Sequence, residues 1–170
     1  QNIVGLSQRE LTKLRRTRIG FVFQSYNLVP TLNAAENITL PLEIAARPVD
    51  QDWFDVVVET LGLGDRLTHR PSELSGGQQQ RVACARALIA RPAVVFADEP
   101  TGNLDSKAAA EVLDFLRAGA DDMGQSIVLV THDPTAASYA HRIVFLGDGK
   151  VVGELHNPTV DAVLDAIRVQ

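Results

Sequence analysis

The chain has 170 residues, 45% hydrophobic and 22% charged, which is enough for one domain with a core of its own. A net charge of −5 argues against a nucleic-acid binder, so nucleic acid is not expected as a partner. No stretch approaches the roughly 18 apolar residues of a membrane span or reads as a secretory leader, and the single Cys84 cannot form an internal disulfide.

In chain order, Ser7 followed by Glu10 is a capping box, and Leu11 and Leu14 follow at helical spacing. Arg9, Lys13, Arg15, Arg16 and Arg18 make this end basic, which a solvated helix face explains. Ile19 to Phe23 reads as a buried strand, with Gln24 just past its end. Asn33 with Glu36 forms a second cap leading into Ile38, Leu40 and Leu42. Pro41 and Pro48 are expected to break the chain on either side of a short linker. Asn37-Ile38-Thr39 matches a glycosylation sequon and is read as chance. Asp50 caps an amphipathic helix with Trp53, Val56, Val57, Thr60 and Leu61 on one stripe, and Gly62 is placed to end it.

The stretch from Glu73 to Asp105 carries the densest chemistry. In Leu74-Ser75-Gly76-Gly77-Gln78 a Ser and two Gly open a helix. Amides at a helix start lack intrahelical acceptors, the helix dipole adds positive potential, and glycines let an anion come close. That segment reads as a phosphate cradle. Cys84 lies in the run Val82-Ala83-Cys84-Ala85 and is expected as a packed core thiol. Arg91-Pro92 stops the helix, and Ala93 to Ala97 is an apolar run ending in Asp98-Glu99-Pro100. Such a run predicts a buried parallel strand with acids at its carboxyl edge, where open α/β sheets bind ligands.

Asp105 is placed to cap the next helix, with Val112, Phe115 and Leu116 inward. Ser126 to Thr131 is another buried strand, and His132 stands at its end. Arg142–Leu146 and Val151–Leu155 flank Gly147-Asp148-Gly149-Lys150, a hairpin signal. Residues 158–169 are expected as a terminal helix with Val160, Val163, Leu164 and Ile167 inward.

LSGGQ, then a hydrophobic strand into Asp98-Glu99-Pro100, then Asn103-Leu104-Asp105, resembles the nucleotide-binding subunit of an ATP-binding cassette (ABC) transporter. The wording ADEPTGNLDS is similar to the branch serving lipoprotein release, macrolide export and cell division. The resemblance implies an α/β fold: a P-loop NTPase-type parallel sheet core with an inserted α-helical subdomain. It divides the chain into core (1–30), helical subdomain with the signature (31–88) and core again (89–170). The short interval 25–74 has no room for the long coiled coils of the chromosome-maintenance relatives. The family's phosphate loop G-x-x-x-x-G-K-[ST] occurs nowhere, since Gly149-Lys150 is followed by Val. The expectation is an N-terminally truncated domain lacking a central strand, with apolar edges left on both neighbours.

For an intact member the resemblance implies ATP and Mg²⁺ as ligands, and two copies closing head to tail around the nucleotides. Glu99 would be the base and His132 the switch contacting the γ-phosphate. Asp98 would hold Mg²⁺, aided by Gln24, which also approaches the γ-phosphate. Ser75, Gly76, Gly77 and Gln78 would hold the partner's nucleotide, and Asp105 would couple the two sites. A transmembrane permease subunit is the implied second partner, docking on residues 25–42, where Tyr26, Leu28, Val29 and Leu32 are apolar. The implied location is cytoplasmic, on the inner face of the cell membrane. The alternatives are an ABC-type ATPase with a mechanical rather than a transport role, and a catalytically inactive fragment.

Overall fold

A computed structural model describes residues 3–169. Helix α1 (Gln8–Arg18) leads into strand β1 (Ile19–Phe23), followed by α2 (Ala34–Ile44) and α3 (Gln51–Thr60). Two short 3₁₀ turns precede α4 (Gly76–Leu88), β2 (Val94–Asp98), α5 (Ser106–Asp121) and β3 (Ile127–Val130). The chain then forms α6 (Pro134–Ser138), the hairpin β4 (Arg142–Gly147) and β5 (Lys150–His156), and α7 (Val160–Val169).

Local chemistry sets most helix starts. Ser7, Asn33, Asp50, Ser75 and Asp105 each accept a bond from an amide in the first turn of the helix they open. Strands β1, β2 and β3 pair in parallel in that order, while β4 and β5 pair antiparallel. The hairpin turns through Asp148 and Gly149, both left-handed (φ 48° and 74°), as a two-residue turn requires.

One face of the parallel sheet packs on helices. Val22, Val95 and Ala97 join Leu88 of α4 and Val112 and Phe115 of α5 in a single core cluster. The cluster continues without a break into Ile38 of α2 and Val57 of α3. Gly20 belongs to this face because a Cβ there would lie 2.5 Å from the Ala87 carbonyl oxygen. Cys84 is buried in α4, and burial pushes its thiol up to about 12, so it is an inert core group. On the opposite face Phe21 stacks with Phe23 at 5.7 Å and Phe96 at 6.0 Å, and all three rings stay partly exposed. Among the described residues β3 pairs only with β2 and β4 only with β5, and Val128, Val130, Val144 and Leu146 are exposed.

Three expectations change. Pro41 does not break the chain but lies inside α2, one turn before its end. The buried stripe of α3 is Phe54, Val57, Val58 and Leu61, so Val56 and Thr60 face outward. Trp53 is half-buried, its ring N–H donating to the Leu88 carbonyl at 3.3 Å beneath the Arg91 guanidinium. Among the described side chains of α7 Val163 alone is buried, because the helix lies against little more than α6, and Val160, Leu164 and Ile167 remain exposed. The sequon asparagine, Asn37, is fully buried. No helix among the described residues is long and apolar enough to cross a membrane.

Candidate active site at the carboxyl edge of the sheet

Register decides which residues meet. Phe23 pairs with Asp98, and Asp98 with Val130. Gln24, Asp98-Glu99 and Thr131-His132 therefore leave three adjacent parallel strands at one edge.

Asp98, the last residue of β2, is exposed, and its carboxylate has no hydrogen-bond or ion-pair partner among the described residues. Glu99 is held closely instead. Its backbone N–H donates to the Val130 carbonyl at 2.9 Å, and its φ of 45° is left-handed. Glu99 Oε1 accepts from the His132 backbone N–H at 2.9 Å and pairs with His132 Nδ1 at 2.7 Å. Glu99 Oε2 accepts from the Thr131 hydroxyl at 3.1 Å. The Glu99 side chain is 22% exposed and that of His132 is 89% exposed, so the acid is sheltered and the imidazole stands in solvent. The hydrogen bond to Glu99, then its charge and that of Asp133, raise the His132 pKa above the ordinary histidine value. An ionised carboxylate only accepts, so Nδ1 carries the proton toward Glu99 and Nε2 faces outward.

Gln24 lies over the turn that follows. Its Nε2 donates to Asn103 Oδ1 at 3.2 Å, and Asn103 Nδ2 donates to the Gln24 carbonyl at 3.0 Å. Gly102 allows this approach, since a Cβ there would stand 2.6 Å from Gln24 Nε2. Tyr26 and Asn27 are both left-handed (φ 57° and 50°), and Arg86 of α4 donates to both carbonyls at 2.7 and 2.6 Å. The turn after Gln24 is thereby tied to the signature helix.

At the start of α4, Ser75 Oγ accepts from the Gln78 N–H at 3.3 Å, and Gln78 Oε1 accepts from the Ser75 N–H at 2.9 Å. This reciprocal cap leaves the Gly76 and Gly77 amides without an intrahelical acceptor. The two glycines also serve packing. A Cβ on Gly76 would sit 2.9 Å from the Tyr26 hydroxyl, and one on Gly77 would sit 2.9 Å from Ala108 Cβ. Asp105 caps α5 by accepting from the Ala108 N–H at 2.9 Å. No hydrogen bond or ion pair joins Ser75–Gln78 to Asp98, Glu99 or His132 among the described residues. The two devices are brought into one domain but not into one site.

Sequence reasoning missed Thr131, Asn103, Arg86 and Gln80. Gln80 is fully buried on α4 and donates to the Pro100 carbonyl at 2.6 Å, linking the signature helix to the turn behind Glu99. A glutamine four residues after Gly76, on the inward face of a helix, was the available signal.

No group of three or more His, Cys, Asp or Glu among the described residues could hold a metal by itself. Magnesium needs no such cage, because it keeps its waters and is typically bound by one or two carboxylates plus substrate phosphates. The unpartnered Asp98 carboxylate, with the Gln24 amide as a weaker neutral ligand, fits that pattern.

Parallel strands that deliver carboxylates and an imidazole to one edge, backed by packed helices, make this a P-loop NTPase fold. Within that class the chain belongs to the ABC transporter family, whose profile matches residues 3–102. It is 46% identical over 172 residues to the uncharacterized ABC transporter ATP-binding protein YvcR of Bacillus subtilis, covering 96% of this chain and 66% of that protein. It is 47% identical over 152 residues to the lipoprotein-releasing system ATP-binding protein LolD of Aquifex aeolicus, covering 88% of this chain and 67% of the relative. A dimeric, post-hydrolysis structure of the ATP-binding cassette MJ0796 bound to ADP and Pi superposes with a TM-score of 0.77 at 40% identity, over 91% of this chain and 69% of that one. The chain thus spans about two thirds of the length of these relatives.

Proposed function

We propose that this chain is part of the ATP-hydrolysing subunit of an ABC transporter. The observation that carries the reading is Glu99, sheltered and oriented by Thr131 and His132 beside an unpartnered Asp98. In this mechanism Glu99 accepts a proton from the water attacking the γ-phosphate and aligns that water. His132, its Nδ1 side held by Glu99, donates from Nε2 to a phosphate oxygen in its protonated form. Bound Mg²⁺ supplies charge neutralisation of the phosphates, and Asp98 with Gln24 would hold it. The Gly76 and Gly77 amides and Ser75 offer an anion site that a second copy's nucleotide completes head to tail, with Gln78 holding the cap. The absence of any bond from this cradle to the Glu99 cluster supports a site shared between two copies. Asp105 closes the turn that starts at Glu99 and couples that turn to the opposing site.

Residues 31–88 act as a helical subdomain, and the chain works on the cytoplasmic face of a membrane through a permease subunit. A cleft of about 540 Å³ beside the segment after Gln24 supports this docking. Its lining includes Phe21, Phe23, Leu40 and Ile44 together with Arg15 and Arg16. Tyr26, Leu28, Val29 and Leu32 are half-buried, so part of their apolar surface serves internal packing.

The test is Glu99→Gln in the full-length protein. ATP binding should persist while turnover falls by on the order of 10²–10⁴. The variant should also accumulate as an ATP-bound dimer on gel filtration. Near-normal turnover overturns the assignment of Glu99 as the base.

A further inference from the structure

Glu99 has a backbone conformation that needs explaining. Its φ of 45° is sparsely populated for a residue with a side chain, and it precedes Pro100, whose ring pushes its predecessor toward extended backbone. Such a conformation persists only where neighbouring groups over-determine it. The Gly102 N–H donates to the Glu99 carbonyl at 3.1 Å, and the remaining neighbours come from one short segment, residues 130–132. The Val130 carbonyl accepts the Glu99 N–H, the His132 N–H and Nδ1 hold Oε1, and the Thr131 hydroxyl holds Oε2.

Of the side chains in that set, His132 is almost fully exposed and held only through its contact to Glu99, whereas Thr131 is half-buried and β-branched, with one stiff torsion. The direction of the Thr131 proton is also settled. Thr131 Oγ1 already accepts from the Asp133 backbone N–H at 3.0 Å. A hydroxyl has one proton, and the ionised carboxylate beside it can only accept, so that proton points at Glu99 Oε2. Asp133 in turn is fixed as the cap of α6, accepting from the Thr135 N–H at 2.8 Å. The relay thus runs from the start of α6 through Thr131 to the carboxylate.

We propose that Thr131 is a positioning residue that fixes the Glu99 carboxylate by holding Oε2, so that the acid keeps its orientation when His132 turns to another contact. This rests on the reading of Glu99 as the base. The His132 side chain is a contact that can be made and broken, and the Thr131 hydroxyl is the anchor that stays.

The experiment compares Thr131→Val, Thr131→Ser and Glu99→Gln in the full-length protein, measuring kcat and KM for ATP. Thr131→Val keeps the shape and removes the hydroxyl. Its kcat should fall by on the order of 10–100-fold with KM unchanged, as expected when a reacting group is misplaced by about an ångström. Thr131→Ser should recover most of that loss, and Thr131→Val added to Glu99→Gln should cost nothing further. A second readout needs no turnover: ¹⁵N NMR of the His132 ring should show a held Nδ1–H in the parent and in Thr131→Ser, and a mixture of tautomers in Thr131→Val. Should Thr131→Val fold poorly, Thr131→Ala against Thr131→Ser makes the same comparison. Wild-type kcat and an unchanged His132 spectrum in Thr131→Val, with Glu99→Gln inactive, overturn the role of Thr131 and leave Glu99 as the base. Near-normal turnover in Glu99→Gln overturns the base itself, and with it this proposal.

Discussion

Replacing Asn37 with Ala removes the polar anchor beneath the segment that follows Gln24. The Asn37 side chain is fully buried and has four hydrogen-bond partners: Oδ1 accepts from the Val29 N–H at 2.8 Å, and the two Nδ2 protons are shared among the carbonyls of Val29, Leu32 and Asn33 at 3.1, 3.1 and 3.0 Å. Asn33 and Val29 keep a partner for their carbonyls in Asn37→Ala, because the Asn33 carbonyl also accepts the Asn37 backbone N–H at 2.9 Å and the Val29 carbonyl the Leu32 N–H at 3.2 Å. The Val29 N–H and the Leu32 carbonyl lose theirs. Each bond is worth about 1 kcal/mol net, and a group left dry and unpaired costs about 1–3 kcal/mol. Val29 and Leu32 are half-buried, so water reaches part of the vacated site and the lower figure applies. The expected loss is about 2 kcal/mol, a sizeable share of the roughly 5–15 kcal/mol that holds a domain together. Urea denaturation measures it, and limited proteolysis should show new cleavage within residues 25–32. Asn37→Asp is the companion variant: one carboxylate oxygen still serves Val29, but the other faces carbonyl oxygens. That raises the introduced group's folded pKa, so the variant should gain stability relative to the parent as pH falls. A loss below about 1 kcal/mol in Asn37→Ala with unchanged proteolysis refutes the assignment of this side chain as the anchor.

Gly102→Ala places a methyl 2.6 Å from Gln24 Nε2, and because that amide ends a flexible side chain, it should move rather than the backbone. Calorimetry should find a stability cost under about 1 kcal/mol, while ATPase activity falls as Gln24 leaves Asn103. The His132 pKa is raised in the fold, so its contribution to stability is complete below the unfolded histidine value and is lost as pH rises through the folded one. NMR titration should place it above ordinary histidine in the parent and return it toward that value in Glu99→Gln. Residues 1–170 on their own carry no G-x-x-x-x-G-K-[ST] and should not bind Mg-ATP tightly, and micromolar affinity by isothermal titration refutes that.

What the sequence determined by itself is the short-range chemistry. Ser7, Asn33, Asp50, Ser75 and Asp105 were readable as caps because a cap bonds within its own first turn, and no distant residue can alter that spacing. The Asp148-Gly149 turn was readable for the same reason, as was the family signature in residues 74–105. Only the tertiary structure decided which residues meet. Glu99 reaches partners 32 and 33 positions away, and Gln24 reaches one 79 positions away, because the parallel register brings the ends of three strands level. Nothing local in either segment encodes that register; it follows from how α4 and α5 pack the strands side by side. The same holds where the sequence reading went astray. The α3 stripe turned to Phe54 and Val58, Pro41 stayed within a helix, and α7 left Val160, Leu164 and Ile167 exposed, since the face a helix buries is chosen by its neighbours.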